Sequence, residues 1–225
     1  MTHAIADRGF LFGTRLRLPG VDWRTYSRLL NVFAEQPGIR LTYDRGELEM
    51  MAPLFRHDND GRFLGRLVIV LTEELNLPLV AGGSVTLRRR RRRRGLEPDD
   101  CFWIANAPRM GGRQQVDLRV DPPPDLAIEV DLTRSSLDRL TIYAALKVPE
   151  VWRLEGDLLT FYLLGADGKY TAAAASGCFP MVTSAELLGF LQEARQSGDH
   201  NVVIRRFREW IRARQGASGL GPSLS

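Results

Sequence analysis

Four carboxylates in this sequence stand where an acid is either costly or cooperative. Asp99 and Asp100 end the run Glu97-Pro98-Asp99-Asp100 directly before a β-prone segment, residues 101–105, and Glu129 lies inside the apolar run 126–130. An ionised carboxylate within an apolar strand is expensive unless it is paired, hydrogen-bonded or bound to a metal. Asp131 follows two residues later, and side chains alternate along a strand, so it shares the face of Glu129. Two acids on one face repel each other unless a cation lies between them or one of them is protonated. Mg²⁺ takes oxygen ligands, keeps most of them as water and needs only one or two protein carboxylates, so Asp99 and Glu129 suffice without a His or Cys cluster. Such an ion polarises a phosphoryl oxygen and activates water for phosphodiester hydrolysis. Strand-end acids also serve as turn and N-cap residues, and spacing alone favours that ordinary role.

The elements that must position these acids can be read from periodicity. Asp22 is a plausible N-cap for a helix carrying Trp23, Tyr26, Leu29, Leu30 and Phe33, which Pro37 and Gly38 end. Residues 41–43 and 47–51 form a hairpin around Asp44-Arg45-Gly46. Phe63, Leu64, Leu67, Val68, Leu71 and Leu75 recur at three and four, giving a helix over 57–75. Short strands are expected at 80–87 and 101–105, and a buried one at 126–130. A helix from Ser135 or Ser136 to Leu146 then precedes strands at 151–154 and 158–164, paired across Glu155-Gly156-Asp157. Strand, helix, strand suggests a crossover unit. Further helices begin at Ser184 and cover 202–211. The order predicts an α/β (α+β) fold with a mixed central sheet flanked by helices. The expected organisation is an N-terminal extension over 1–21, one domain over 22–213 and a disordered tail over 214–225.

A chain of 225 residues, 44% of them hydrophobic, buries one substantial core. The longest compact apolar run, residues 67–71, is far short of a bilayer span, and the first residues have no signal-peptide pattern, which points to the cytoplasm. Cys101 and Cys178 belong to no CxxC pair and read as small apolar residues. The net charge of +4 hides a local excess, because residues 88–94 are seven consecutive arginines. Setting these seven aside from the 31 Lys and Arg leaves 24 against 27 Asp and Glu, so the remainder is net acidic. Such a run is either a solvated hairpin tip or a set of phosphate contacts whose affinity is salt-dependent and sequence-independent. Phe102, Trp103, Trp152 and Trp210 could stack on bases, but their spacing favours core or interface.

Four segments carry a resemblance: Leu41-Thr-Tyr-Asp-Arg-Gly-Glu-Leu-Glu-Met-Met-Ala-Pro53, Gly95-Leu-Glu-Pro-Asp-Asp-Cys-Phe-Trp-Ile-Ala-Asn106, Pro124-Asp-Leu-Ala-Ile-Glu-Val-Asp131 and Ile142-Tyr-Ala-Ala-Leu-Lys-Val-Pro-Glu-Val-Trp152. In this order they resemble the Uma-type restriction endonuclease family of the PD-(D/E)XK nuclease superfamily, over roughly residues 22–190. The resemblance implies a restriction-endonuclease-like sheet. It also matches Pro98-Asp99 to the family's Pro-Asp pair, Glu129 to its strand acid, Glu47 to the acid of the hairpin block, and His57 to a histidine after that block. The superfamily's lysine is then supplied by a helix, four residues before the tyrosine. That position is Arg139, before Tyr143, while Asp131 occupies the lysine's usual strand site. Guanidinium keeps its charge and can stabilise phosphate, but it does not readily give up a proton. Lys147, where the family usually has glycine, is either a displaced substitute or an exposed helix-end lysine, and the second fits better. His57 either positions water or phosphate or caps a helix. Arg45 reads as a surface residue.

The expected function is therefore hydrolysis of DNA phosphodiester bonds, with Asp99, Glu129 and Glu47 holding Mg²⁺, or Mn²⁺ in its place, and Arg139 stabilising phosphate charge. The alternative is a nuclease fold without catalysis that binds nucleic acid or another partner. A homodimer, or an oligomerisation module built on the C-terminal helices, is also open.

Overall fold

The computed structural model describes residues 14–33, 38–52, 54–131 and 137–217. Its elements in chain order are β1 (Arg15–Leu18), α1 (Trp23–Phe33), β2 (Arg40–Asp44), β3 (Glu47–Met51), α2 (Phe55–Glu74), β4 (Val80–Ala81), β5 (Leu87–Arg89), β6 (Arg94–Leu96), β7 (Asp100–Trp103), α3 (Ala107–Met110), β8 (Leu126–Asp131), α4 (Arg139–Leu146), β9 (Glu150–Glu155), β10 (Leu158–Leu164), β11 (Tyr170–Ala173), α5 (Ser184–Gln196) and α6 (His200–Ala217). The fold is α+β, with six helices among the described residues and two sheets. The central sheet has six strands in the order β11-β10-β9-β8-β7-β4 and is mixed, because β8 and β9 run parallel while its other pairs are antiparallel. The parallel pair is the expected crossover, with α4 between its strands.

Strand alternation divides β8 between two cores. Leu126, Ile128 and Val130 belong to the larger cluster with α2, α5 and α6, whereas Ala127 belongs to a second cluster with Ile142, Tyr143 and Leu146 of α4. Full burial of each such aliphatic side chain stabilises by about 1.5–3 kcal/mol, and three of them in one strand offset the cost of holding an acid between them. The C-terminal helices turn Leu187, Leu191, Val203, Phe207 and Ile211 into the larger core, α5 against β10 and α2 and α6 against α2 and α5, so their apolar stripes are covered within this chain.

A second sheet of five strands, β1-β3-β2-β6-β5, was not anticipated. Its β2–β3 hairpin turns through Arg45 and Gly46 at φ +50° and +111°, where glycine carries the larger departure without a Cβ clash. One face packs Leu41, Tyr43, Leu48 and Met50 on α1, where Tyr26 stacks on Tyr43 at 4.7 Å. Asp22 caps α1 through the Thr25 amide at 2.6 Å. The outer strand β1 comes from within the expected N-terminal extension: Arg15 to Leu18 pair with Met51 to Leu48. At the other end α6 runs to Ala217, so residues 214–217 are helical rather than part of a tail. The expected start of α4 at Ser135 or Ser136 and the tail beyond residue 217 lie outside the described residues. No helix among the described residues is long and apolar enough to cross a membrane.

Candidate functional site

The polar face of the five-stranded sheet meets β8, β9 and α4, and the candidate acids collect along that seam. Asp100 pairs with Ile128 in the β7–β8 register, and the Asp99 amide continues the ladder to the Ile128 carbonyl at 3.1 Å. Asp99 therefore stands beside Glu129, and its Oδ2 accepts the Val130 amide at 2.7 Å. Asp100, one residue on, points to the opposite side of the sheet, where its carboxylate occupies the space that a Cβ on Gly65 would need.

Glu129 is 3% exposed. Its Oε2 accepts from the Tyr143 hydroxyl at 2.7 Å and its Oε1 lies 2.5 Å from Arg139 Nε. The second contact is an ion pair without a hydrogen bond, since the Arg139 Nε–H has no acceptor in line. Arg139 instead donates from Nη1 to Thr42 Oγ1 at 2.6 Å and from Nη2 to the Glu97 carbonyl at 2.8 Å. It is 5% exposed, and its guanidinium is engaged by protein groups. Asp138 caps α4 and so fixes the turn from which Arg139 projects.

Around this pair the charges alternate. Arg40 bridges Asp99 at 3.1 Å and Asp58 at 3.3 Å. Asp131, buried at the end of β8, pairs with Arg153 at 3.0 Å and Arg15 at 3.3 Å, and Arg15 also reaches Glu49 at 2.9 Å. Burial raises the Asp99 carboxyl to about 6 against the lowering pull of Arg40 and Arg139. Burial likewise raises Glu129 to about 7; Arg139 opposes the rise and the neighbouring Asp99 and Asp131 charges add to it. The two acids thus sense each other, and a cation between them would relieve both.

Of the other expected site residues, Glu47 lies elsewhere: it is partly exposed at the start of β3 and pairs with Arg17 at 2.8 Å. Glu49, two residues on and 1% exposed, is the hairpin acid that joins the buried network. His57 is buried beside Asp99, with Nε2 3.5 Å from Asp99 Oδ2, and neither ring nitrogen has a hydrogen-bond partner. An unsatisfied buried polar group of this kind costs about 1–3 kcal/mol. Burial, then Arg40, holds its pKa below the ordinary histidine value. Lys147 is the exposed C-cap of α4 at φ +65°, a left-handed position suited to glycine. Phe102, Trp103 and Trp152 are core residues, and Trp210 packs against the core under Arg214.

Sequence reasoning missed Arg15, Arg40, Glu49, Thr42 and Arg153. One signal was present: Thr42 and Glu49 alternate with apolar residues in a hairpin whose other face is buried, so polar groups facing a second layer could have been expected. Nothing in the sequence marks the arginines.

Access to the seam comes from a cleft of about 810 Å³ that includes Arg40, Arg62, Asp58 and Asp99 in its walls. The arginine run forms the β5–β6 hairpin beside it. Residues 90–93 are exposed at the tip, and Arg94 is tied to Asp44 at 2.8 Å and to the Thr141 carbonyl at 3.1 Å. From Arg94 to Asp99 the chain spans about 17 Å at most.

The sequence of this seam is that of a described family. A family model, Uma2, "Putative restriction endonuclease", matches residues 23–190. The chain belongs to the Uma2 family. No curated protein matches it. A solved structure, a "putative nuclease belonging to DUF820" from Anabaena variabilis ATCC 29413, is similar at 13% identity and a TM-score of 0.49, over 67% of this chain and 90% of that one. The Uma2 match contains Asp99, Glu129 and Arg139 together with Glu47 and His57, but not β1 or α6.

Among the described residues no three of His, Cys, Asp and Glu are gathered at metal-ligand spacing. The donor chemistry nevertheless fits a divalent cation: two buried carboxylates, one directly before β7 and one within β8, both above the ordinary carboxylate range, next to an imidazole without hydrogen-bond partners.

Proposed function

We propose that this chain is a divalent-metal-dependent endonuclease that hydrolyses DNA phosphodiester bonds, with Asp99 and Glu129 as the carboxylates that hold the ion. The observation that carries the reading is that these two acids lie side by side, Asp99 directly before β7 and Glu129 within β8, with buried, mutually repelling side chains and with Asp99 opening onto a cleft. Mg²⁺, or Mn²⁺, would be held by Asp99 and Glu129; when bound it supplies Lewis-acid polarisation of a phosphoryl oxygen. Glu47, paired with Arg17 at the hairpin turn, is left out of the proposed ligand set.

The remaining groups orient and attract. Tyr143 and Arg139 hold the two oxygens of Glu129, and the Val130 amide holds Oδ2 of Asp99, so both acids have fixed directions. Arg139 acts on Glu129 rather than on the phosphate, because its terminal nitrogens are engaged by Thr42 and the Glu97 carbonyl. Phosphate attraction falls to Arg62 on the cleft wall and to the exposed arginines at the tip of the β5–β6 hairpin, a sequence-independent contribution.

The test is incubation of the purified protein with supercoiled plasmid and with linear duplex, in Mg²⁺ or Mn²⁺ and then with chelator. Nicking or linearisation that chelation stops is the expected result. A second reading, a nuclease fold that binds nucleic acid without cutting it, is favoured by one observation: the cation beside Glu129 is a guanidinium, which does not donate or accept protons near neutrality. DNA retention without cleavage in either metal would establish that reading instead.

A further inference from the structure

His57 is a buried group in this seam that the proposed function does not use. It lies in the first turns of α2, its side chain is 4% exposed, and both ring nitrogens lack hydrogen-bond partners. A buried imidazole ordinarily donates from one nitrogen and accepts at the other, and the unprotonated nitrogen is a metal ligand. Its neighbours leave it little else to do. Nε2 faces Asp99 Oδ2 at 3.5 Å, Nδ1 faces Asp58 Oδ1 at 3.7 Å, and neither contact is a hydrogen bond. Asp99 Oδ2 takes one donor, the Val130 amide, and so keeps a lone pair on the histidine side.

The spacing has a chemical meaning. Two ligand atoms about 2.1 Å from one ion, at angles between octahedral and tetrahedral, lie about 3.0–3.4 Å apart. The Nε2 to Oδ2 separation of 3.5 Å is about 0.1 Å beyond that range, a gap that a small side-chain rotation closes. The pair does not need a third acid of the same spacing, since an ion of this kind completes its shell with water.

We propose that His57 is a ligand of the same cation as Asp99, so that the site is a mixed nitrogen and oxygen site and prefers a transition-metal ion such as Mn²⁺ to Mg²⁺. This rests on the reading of Asp99 as an ion-holding carboxylate. Mg²⁺ binds imidazole poorly and favours all-oxygen shells, whereas first-row divalent ions accept imidazole nitrogen readily.

The experiment is pulsed electron paramagnetic resonance on the wild-type protein titrated with Mn²⁺ alone, unlabelled and with ¹⁵N-labelled histidine, alongside titration calorimetry with Mn²⁺ and with Mg²⁺. The expected result is nitrogen hyperfine coupling that changes with the label, and Mn²⁺ affinity at least about tenfold above that for Mg²⁺. His57→Gln, its fold checked by circular dichroism, should lose the coupling and most of the preference while still binding Mg²⁺. Mn²⁺ that binds in an Asp99-dependent way without histidine coupling overturns the role of His57 and leaves the carboxylate site standing. Mn²⁺ that fails to bind at millimolar concentration, or binds equally to Asp99→Asn, overturns both.

Discussion

Replacing Arg139 by Met removes the cation that holds Glu129 and leaves the side chain's volume nearly unchanged. The structure sets the size of the effect. Arg139 is 5% exposed, lies 2.5 Å from Glu129 and donates to Thr42 and to the Glu97 carbonyl. Removing one partner of a buried pair costs about 3–5 kcal/mol. For a chain of this size each kcal/mol lowers Tm by about 2–4 °C, so the variant should melt about 6–20 °C below wild type at pH 8. The pH dependence follows from the acids. Glu129 already lies above its unfolded value, at about 7, and Arg139 is the main influence holding it down against burial, so its loss raises the folded pKa further. A carboxyl whose folded pKa exceeds the unfolded one contributes stability below the unfolded pKa, near 4, and loses it as pH rises through the folded value. The deficit should therefore be smallest near pH 5 and widest at pH 8. Thermal melts by circular dichroism at both pH values measure it, and the double variant Glu129→Gln with Arg139→Met should regain most of the loss. An equal deficit at both pH values, or none at pH 8, would refute the claim that Arg139 serves to hold Glu129.

Three further outcomes are expected. Arg139→Lys should raise the cleavage rate if the guanidinium restrains a working site, because a lysine reaches Glu129 without the fork that binds Thr42 and the Glu97 carbonyl, and its amine can move a proton; a lower rate would mean that the fork itself is needed. Replacing residues 88–94 with Ser and Gly should weaken DNA binding and flatten its salt dependence, by about 0.9 in the log–log slope for each phosphate no longer neutralised, with cleavage at saturating DNA retained; an unaltered slope would make the hairpin tip a solvated turn. Glu49→Ala should destabilise by about 1–3 kcal/mol, since it removes a buried partner of the partly buried Arg15, while Glu47→Ala should stay within about 0.5 kcal/mol, and equal melting temperatures for the two would contradict the assignment of the buried hairpin acid.

What the sequence disclosed depended on local period. Leu126, Ile128 and Val130 against Ala127 and Glu129 mark a strand with an acid on its second face, and the structure has that strand and that face. The crossover through α4 was legible for the same reason, as were the β2–β3 hairpin and α2. The choice between Glu47 and Glu49 was not. Both point the same way from one strand, and only the pairing of β3 with β1, which brings Arg15 and Arg17 alongside, decides which acid is buried. β1 itself is a four-residue strand of alternating arginine and leucine, too short for periodicity to lift it from the N-terminal segment. The arginines that neutralise the seam come from β1, β2, α4 and β9, positions brought together by sheet order alone. Lys147 shows the reverse case: the glycine expected there by resemblance is explained once the residue is found at φ +65° closing α4.

The most direct test of the central claim is single-turnover cleavage of end-labelled duplex DNA by wild type, Asp99→Asn and Glu129→Gln, each verified as folded and as binding DNA. Cleavage by the wild type that requires Mg²⁺ or Mn²⁺, and a loss of at least about 10²–10³-fold in both variants with DNA affinity retained, is the predicted result. Equal cleavage by all three proteins, or no cleavage by a wild type that binds the duplex and the metal, would contradict it.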